Sequence, residues 1–390
     1  MCDMGTSMAG KGDAMRPVRH LWCILCCALS LCVASVSCAT ARPSAETIAP
    51  LLDDFLQRTH TPGVVAALSF PDMERPLVVA RGLAGVENTV PLRLDAVFRY
   101  GSITKVFTAM HVKQCMETGK LSPETDIRPF FPELKLAGPI TVFQLMTHTS
   151  GLPELLEQPE VVANPAKAWT PAELLAVIGG KALLFEPGTQ QKYNNTGYFL
   201  LEQLLEKVDV PAKAWLERQR EELGMPSLQV EDDNSIVPLR ATGYSLTKEG
   251  TLCLPMFSST TLASGSGDLG GNALDLLRLP QFLKRYGLLP EKAEPLRLKD
   301  GTPAVTRVEY GGLSYNLGML EGINLYDMGN GRFFFGKDGM IPGYASQFVY
   351  DPETGAAAVL LLNQENACFE AFKLALGLLE VERAVQRRRN

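Results

Sequence analysis

The chain has 390 residues, 46% of them apolar, which is enough for one large domain or two fused lobes around a substantial core. Its formal charge is −6, and −7 without residues 1–41, which take three basic and two acidic side chains with them. That balance argues against nucleic acid as the main partner, because neutralising phosphates needs a basic face. The one basic cluster, Arg387, Arg388 and Arg389, reads as a frayed, solvated tail.

Arg16 and Arg19 precede the apolar run Leu21 to Val36, and Ala39-Thr40-Ala41 follows it with small residues at both ends. This is the charge, apolar core and cleavage pattern of a secretory signal over residues 1–41, with Met15 as an alternative start. The expectation is a secreted protein cut after Ala41, periplasmic in a Gram-negative source. The run is short for a transmembrane helix. Membrane contact would therefore come only through this segment or through a lipid on Cys38, which follows Ser35-Val36-Ser37. Five of the nine cysteines (23, 26, 27, 32 and 38) lie in the signal region and another is Cys2. Cys115, Cys253 and Cys368 remain, which is no disulfide framework.

Beyond the signal, Glu46 to Gln57 reads as an amphipathic helix, and Gly63 to Phe70 and Pro76 to Arg81 as two strands around the turn Pro71-Asp72. From Ser102 the apolar positions Val106, Phe107, Met110, Cys115 and Met116 suit one long helix closed by Gly119. Residues 120–290 are helical and loop-rich, with helices expected at Thr141 to Met146, Pro171 to Ile178, Gly197 to Lys207 and Asn272 to Arg285. Strands return at Arg332 to Gly336, Tyr344 to Tyr350 and Ala356 to Leu362, before a helix from Ala367 to about Val385. The class is therefore α+β, with an antiparallel sheet flanked by helices and built from both termini. An α/β lobe of about 42–119 and 291–390 would carry an inserted, mainly helical lobe of about 120–290.

Several chemistries find no support. His20, His60, His111 and His148 are widely spaced, without a His-Glu-x-x-His or paired-Cys pattern, so no metal or other cofactor is expected. Neither Ser266 nor Ser150 sits in a Gly-x-Ser-x-Gly elbow. What remains is Ser-x-x-Lys, whose spacing puts both side chains on one helical face a turn apart. Ser245-Leu246-Thr247-Lys248 lies between Gly243 and Gly250 and reads as a turn. Ser102-Ile103-Thr104-Lys105 instead follows Gly101 and opens the long helix, where a nucleophile gains from the N-terminal dipole.

Serine is a weak nucleophile at neutral pH and needs a base; a lysine serves once burial and a second cation favour its neutral form. Lys337 offers that cation. Tyr193-Asn194-Asn195 is the one Tyr-x-Asn in the chain, in a loop before a helix. Lys-x-Gly occurs at Lys248, Lys299 and Lys337; the first two look like exposed turns, whereas Lys337-Asp338-Gly339 ends the apolar strand Phe333-Phe334-Phe335. Gly339 would let a substrate lie close to the strand. The backbone N–H of Met340 would join that of Ser102 as a two-donor oxyanion hole.

In this order these elements resemble the serine β-lactamase and penicillin-binding protein superfamily, nearest its class C β-lactamase, DD-peptidase and esterase branch. The likeness covers roughly residues 45–380 and rests on Phe98 to Lys105, Leu145-Met146-Thr147-His148-Thr149-Ser150-Gly151-Leu152-Pro153, Tyr193 to Tyr198, and Gly336 to Gly339 followed by Pro342-Gly343-Tyr344. It implies the β-lactamase/transpeptidase-like fold. It also implies a serine hydrolase acylated on Ser102, with Lys105 and Tyr193 sharing base and acid duty, Asn195 bonding the bound amide or Lys105, and Lys337 steadying an anionic tyrosine or a substrate carboxylate. His148 and Ser150 would shape a loop. The implied substrate is a small ester, amide or peptide, including peptidoglycan-derived peptides and β-lactams. One departure stands out: Asp338 occupies a position where that family usually has Thr or Ser, and it should repel a substrate carboxylate. The alternatives are a penicillin-recognising or cell-wall-binding module with slow turnover, and an unrelated secreted binding protein.

Overall fold

Ser44 caps the first helix, Ala45–Thr59, accepting from the Thr47 amide while its own amide donates to the Thr47 hydroxyl. The helix buries Ile48, Leu52 and Phe55 along one stripe. The computed structural model describes residues 43–387, with side chains to residue 380. The expected signal with Met15, Cys38 and the Ala41 cleavage point, and the tail residues Arg388 and Arg389, lie outside the described residues.

The strand Gly63–Ser69 pairs with Leu77–Gly85 on one side and with Ala357–Leu362, from the far end of the chain, on the other. Outward from Ala357–Leu362 follow Tyr344–Tyr350, Phe333–Ile341, Asn324–Asp327, Leu313–Met319 and Thr306–Tyr310, while Val90–Pro91 edges the opposite side. All pairs are antiparallel, giving a nine-stranded sheet assembled from both ends of the described chain. The first helix and the last, Cys368–Arg387, pack on one face around Phe55, Phe334 and Phe372. Helix Thr104–Glu117 and the helices between 142 and 285 pack on the other face around Phe107, Tyr198 and Phe348. The two faces hold separate apolar clusters.

Four local expectations change. The strand at Phe333 does not end at Gly336 but runs to Ile341, because its backbone stays paired to Tyr344–Tyr350 through the polar Lys337-Asp338-Gly339. The helix expected over Asn272 to Arg285 is two, Ala273–Leu276 and Leu279–Arg285, with Pro280 in the first turn of the second, where its missing N–H does no harm. Thr306–Tyr310, Leu313–Met319 and Asn324–Asp327 are strands without a preceding sequence signal; the outermost is largely exposed and polar. Ser245–Leu246 is not only a turn but pairs with Leu252–Cys253 in a short hairpin.

Candidate active site

Phe98–Arg99 pairs with Leu269–Gly271 and feeds a single 3-10 turn, Gly101–Ile103, before helix Thr104–Glu117. Ser102 therefore precedes the α-helix by a tight turn instead of opening it. Two glycines explain how this turn rests on the strand Phe333–Ile341. Gly101 has φ of +54°, and a Cβ there would lie 2.9 Å from the Met340 nitrogen. A Cβ on Gly339 would lie 2.0 Å from the Tyr100 oxygen and 3.0 Å from the Ser102 nitrogen. Their bare backbones bring the amides of Ser102 and Met340 to one place, as a pair of oxyanion donors requires.

Around the Ser102 hydroxyl the side chains converge. Tyr193 OH lies 2.6 Å from Ser102 Oγ, and Lys105 Nζ lies 3.1 Å from it. Lys105 is fully buried and also donates to Asn195 Oδ1 and to the Ser266 carbonyl, each at 2.8 Å. Burial pushes its pKa well below that of an ordinary lysine, and the Lys337 charge pushes the same way. A neutral amine has two N–H groups, which match the two carbonyl oxygens, and one lone pair, which is left for Ser102. Burial raises the Tyr193 phenol, while its bond to Ser102 pulls the other way; Tyr193 thus stays protonated. Lys337 is itself buried and lowered by burial, with Asp338 opposing, and its Nζ lies 5.0 Å from the Tyr193 ring centre.

Asn195 does not find its orientation alone. Glu154 accepts from the Asn195 backbone amide at 2.6 Å and from its side-chain amide at 3.3 Å, which turns Oδ1 toward Lys105. The loop 152–155 is fastened to 194–196 by Asn194 donating to the Leu152 carbonyl and Thr196 donating to the Pro153 carbonyl. Glu154, Asn324 and the Ser266 carbonyl were not singled out in the sequence; the one available signal for Glu154 is its place directly after Leu152-Pro153 of a matched block. Asn324 donates to Asp338 at 3.0 Å and lies 3.5 Å from Lys337 Nζ, linking the two.

These residues border a cleft of about 450 Å³, whose lining includes Ser102, Tyr193, Asn195, Lys337, Asp338 and Met340. Gly339 lies behind it, against Tyr100. His148 is buried with its ring 4.6 Å from that of Tyr193, and its Nδ1 accepts from the Asn194 amide. Burial, then Lys337 and Lys105, hold its pKa well below the usual range, so it is a neutral wall for the tyrosine. Ser150 Oγ accepts from the Leu152 amide, and Ser245 Oγ donates to Glu365. Neither lines the cleft. Among the described residues, His111, Cys115 and Asp209 place ligand atoms within 4.8 Å of one another. Asp209 is already bonded to His111 and Lys120, and burial pushes the Cys115 thiol up to about 11.

The model of the Beta-lactamase family matches residues 48–381. The penicillin-binding protein 4 of Amycolatopsis lactamdurans is 26% identical over 322 residues, covering 78% of this chain and 81% of that protein. The probable fimbrial assembly protein FimD, serogroup H1, of Dichelobacter nodosus is 32% identical over 127 residues, 32% of each chain. The match thus spans about a third of the first curated relatives' length. Among solved structures, a D-amino acid amidase from Ochrobactrum anthropi SV3 superposes with a TM-score of 0.71 at 24% identity, over 88% of this chain and 99% of the amidase. A match that runs from the first helix to the last places this chain in the Beta-lactamase family, with a fold shared with that amidase.

Proposed function

We propose that the protein hydrolyses a small ester or amide through an acyl-enzyme on Ser102. The observation that carries this is the contact of one hydroxyl, Ser102 Oγ, with both Tyr193 OH and Lys105 Nζ inside the cleft. Lys105 takes the Ser102 proton as Oγ bonds to the carbonyl carbon, and the oxyanion faces the Ser102 and Met340 amides. As the bond to the leaving atom breaks, Tyr193 gives that atom its proton and recovers one from Lys105. Water then attacks the ester, its proton passing to the same pair while Ser102 leaves reprotonated.

The substrate class follows from Asp338, which borders the cleft beside Lys337 and disfavours a carboxylate on the leaving side. Esters and amides without one are the preferred substrates; L-phenylalanine amide, with which one amidase neighbour is complexed, is of that kind. Ordinary penicillins and acyl-D-Ala-D-Ala peptides are poorer. The protein is exported, with residues 1–41 removed.

The deciding experiment is a panel of p-nitrophenyl esters, D-amino acid amides, nitrocefin and D-Ala-D-Ala peptides on the purified protein and its Ser102→Ala variant, with fluorophosphonate labelling. Rapid turnover abolished by Ser102→Ala supports the hydrolase. Absent turnover together with a penicilloyl group that forms on Ser102 and never leaves marks a penicillin-recognising module, the reading that Asp338 as a decayed site would favour. N-terminal sequencing of exported protein should begin at Arg42; a blocked, lipid-bearing Cys38 overturns the cleavage site.

A further inference from the structure

We infer that Arg99 is a specificity-determining residue that binds an anionic group, a carboxylate in the first instance, on the acyl portion of the substrate. This rests on the acyl-transfer reading of the cleft.

Arg99 is half-buried three residues before Ser102 and borders both the cleft and a second hollow of about 330 Å³ beside it; Ser258 and Pro342 are shared by the two. Its Nε is buried without a hydrogen-bond partner, and no hydrogen bond or ion pair joins its guanidinium to another described residue. Its charged neighbours are otherwise engaged. Glu231 is ion-paired with Arg240, and Asp233 accepts from the Ser259 hydroxyl and the Thr260 amide. Asp232, which lines the second hollow, accepts from the Asn234 amide. Arg99 is thus a guanidinium that borders both hollows, with a buried Nε left unpaired and with the Glu231 and Asp233 charges near it but without a hydrogen bond to it. A substrate carboxylate supplies what the protein does not.

The side of the substrate follows from the strand Phe333–Ile341. Met340, whose amide approaches Gly101 beside Ser102, stands two residues past Asp338 on the strand, which ends at Ile341 and turns at Pro342. Tyr193, with Lys337 against its ring, stands toward the Asp338 end, so the leaving group points there. The other substituent of the carbonyl carbon runs toward Pro342 and Arg99. The cleft therefore carries a carboxylate at its leaving-group end and a guanidinium at its acyl end.

The test compares two esters with the same neutral leaving group: the p-nitrophenyl monoester of glutaric acid, whose acyl chain ends in a carboxylate, and p-nitrophenyl valerate. The expected result is a kcat/KM for the anionic ester higher by roughly tenfold or more, the scale of one charge-assisted hydrogen bond. Arg99→Gln should bring that ratio near one, and Arg99→Lys should keep part of it; thermal melting confirms that each variant is folded. Equal use of both esters by the unaltered protein, or a ratio unmoved in Arg99→Gln, overturns the proposal while leaving the hydrolase reading intact. Failure to turn over either ester, with Ser102 unlabelled by fluorophosphonate, overturns the acyl-transfer reading and this inference with it.

Discussion

Lys105 acts as a base only if its surroundings keep a proton off it. Burial does most of this and the Lys337 charge adds to it, while Glu154 pulls the other way. With Lys105 as the proposed base, its neutral form is the active one, so kcat/KM should fall as pH drops through the depressed Lys105 pKa and stay level above it. Removing a neighbouring cation makes the protonated form easier to hold, so Lys337→Met should move this acid limb to higher pH. Glu154→Gln should move it to lower pH. Steady-state pH profiles with one neutral ester check both signs, and a common direction for the two variants refutes the assignment of Lys105 as base. Ser102→Ala should abolish adduct formation by mass spectrometry, with Ser150→Ala and Ser245→Ala within a few-fold, since neither hydroxyl reaches the cleft. Asp338→Thr should raise nitrocefin acylation by roughly tenfold, because two charges about 4 Å apart repel by at least about 1 kcal/mol even in water. An equal gain with a neutral ester would mean that Asp338 does not oppose the carboxylate. The residues legible in the sequence are those whose chemistry depends on type and spacing: Ser102 with Lys105, Tyr193 with Asn195, and Lys337. Glu154, Asn324 and the Ser266 carbonyl were not, because a carboxylate, an amide and a backbone oxygen gain meaning only from what the fold sets opposite them.

At the scale of elements, the loop 152–155 and the segment 194–196 work as one piece. Glu154 closes it by accepting from the Asn195 and Leu156 amides. Glu154→Ala strands those donors, at about 1–3 kcal/mol for a buried group left unpaired. The melting temperature should fall, and acylation should slow by roughly tenfold or more as Asn195 releases Lys105. Acylation at the unaltered rate in a folded Glu154→Ala protein would show that Asn195 needs no such support. Element ends were the hardest to read. Apolar runs locate Phe333–Phe335, but the strand continues because a partner strand holds Lys337 to Ile341, and no run of side chains announces a partner. The same holds for Ser102: period and Gly119 mark the helix, while the 3-10 turn that lifts the serine onto the strand depends on Gly101 meeting Met340.

Over the whole molecule, the two-ended sheet was legible because apolar strand runs stand at both ends of the chain with helices between. Thr306–Tyr310 was missed because an edge strand keeps its polar side chains in solvent, and Leu313–Met319 and Asn324–Asp327, inside the sheet, because Asn316, Gly318 and Asn324 break their apolar pattern. The topology has a sharp consequence. Ala357–Leu362, fully buried, lies between Gly63–Ser69 and Tyr344–Tyr350, so the sheet cannot close until the end of the chain arrives. A chain stopped at Thr354 would lack that central strand and the helix Cys368–Arg387, leaving two apolar strands with open edges. It should aggregate, show no cooperative melting and take no fluorophosphonate label, although every residue proposed for catalysis is present. A chain starting at Arg42 and running to residue 390 should melt cooperatively and label on Ser102. Labelling of the shortened chain at a normal rate would show instead that Phe333–Ile341 and the serine turn hold their geometry without the strand that joins the two ends.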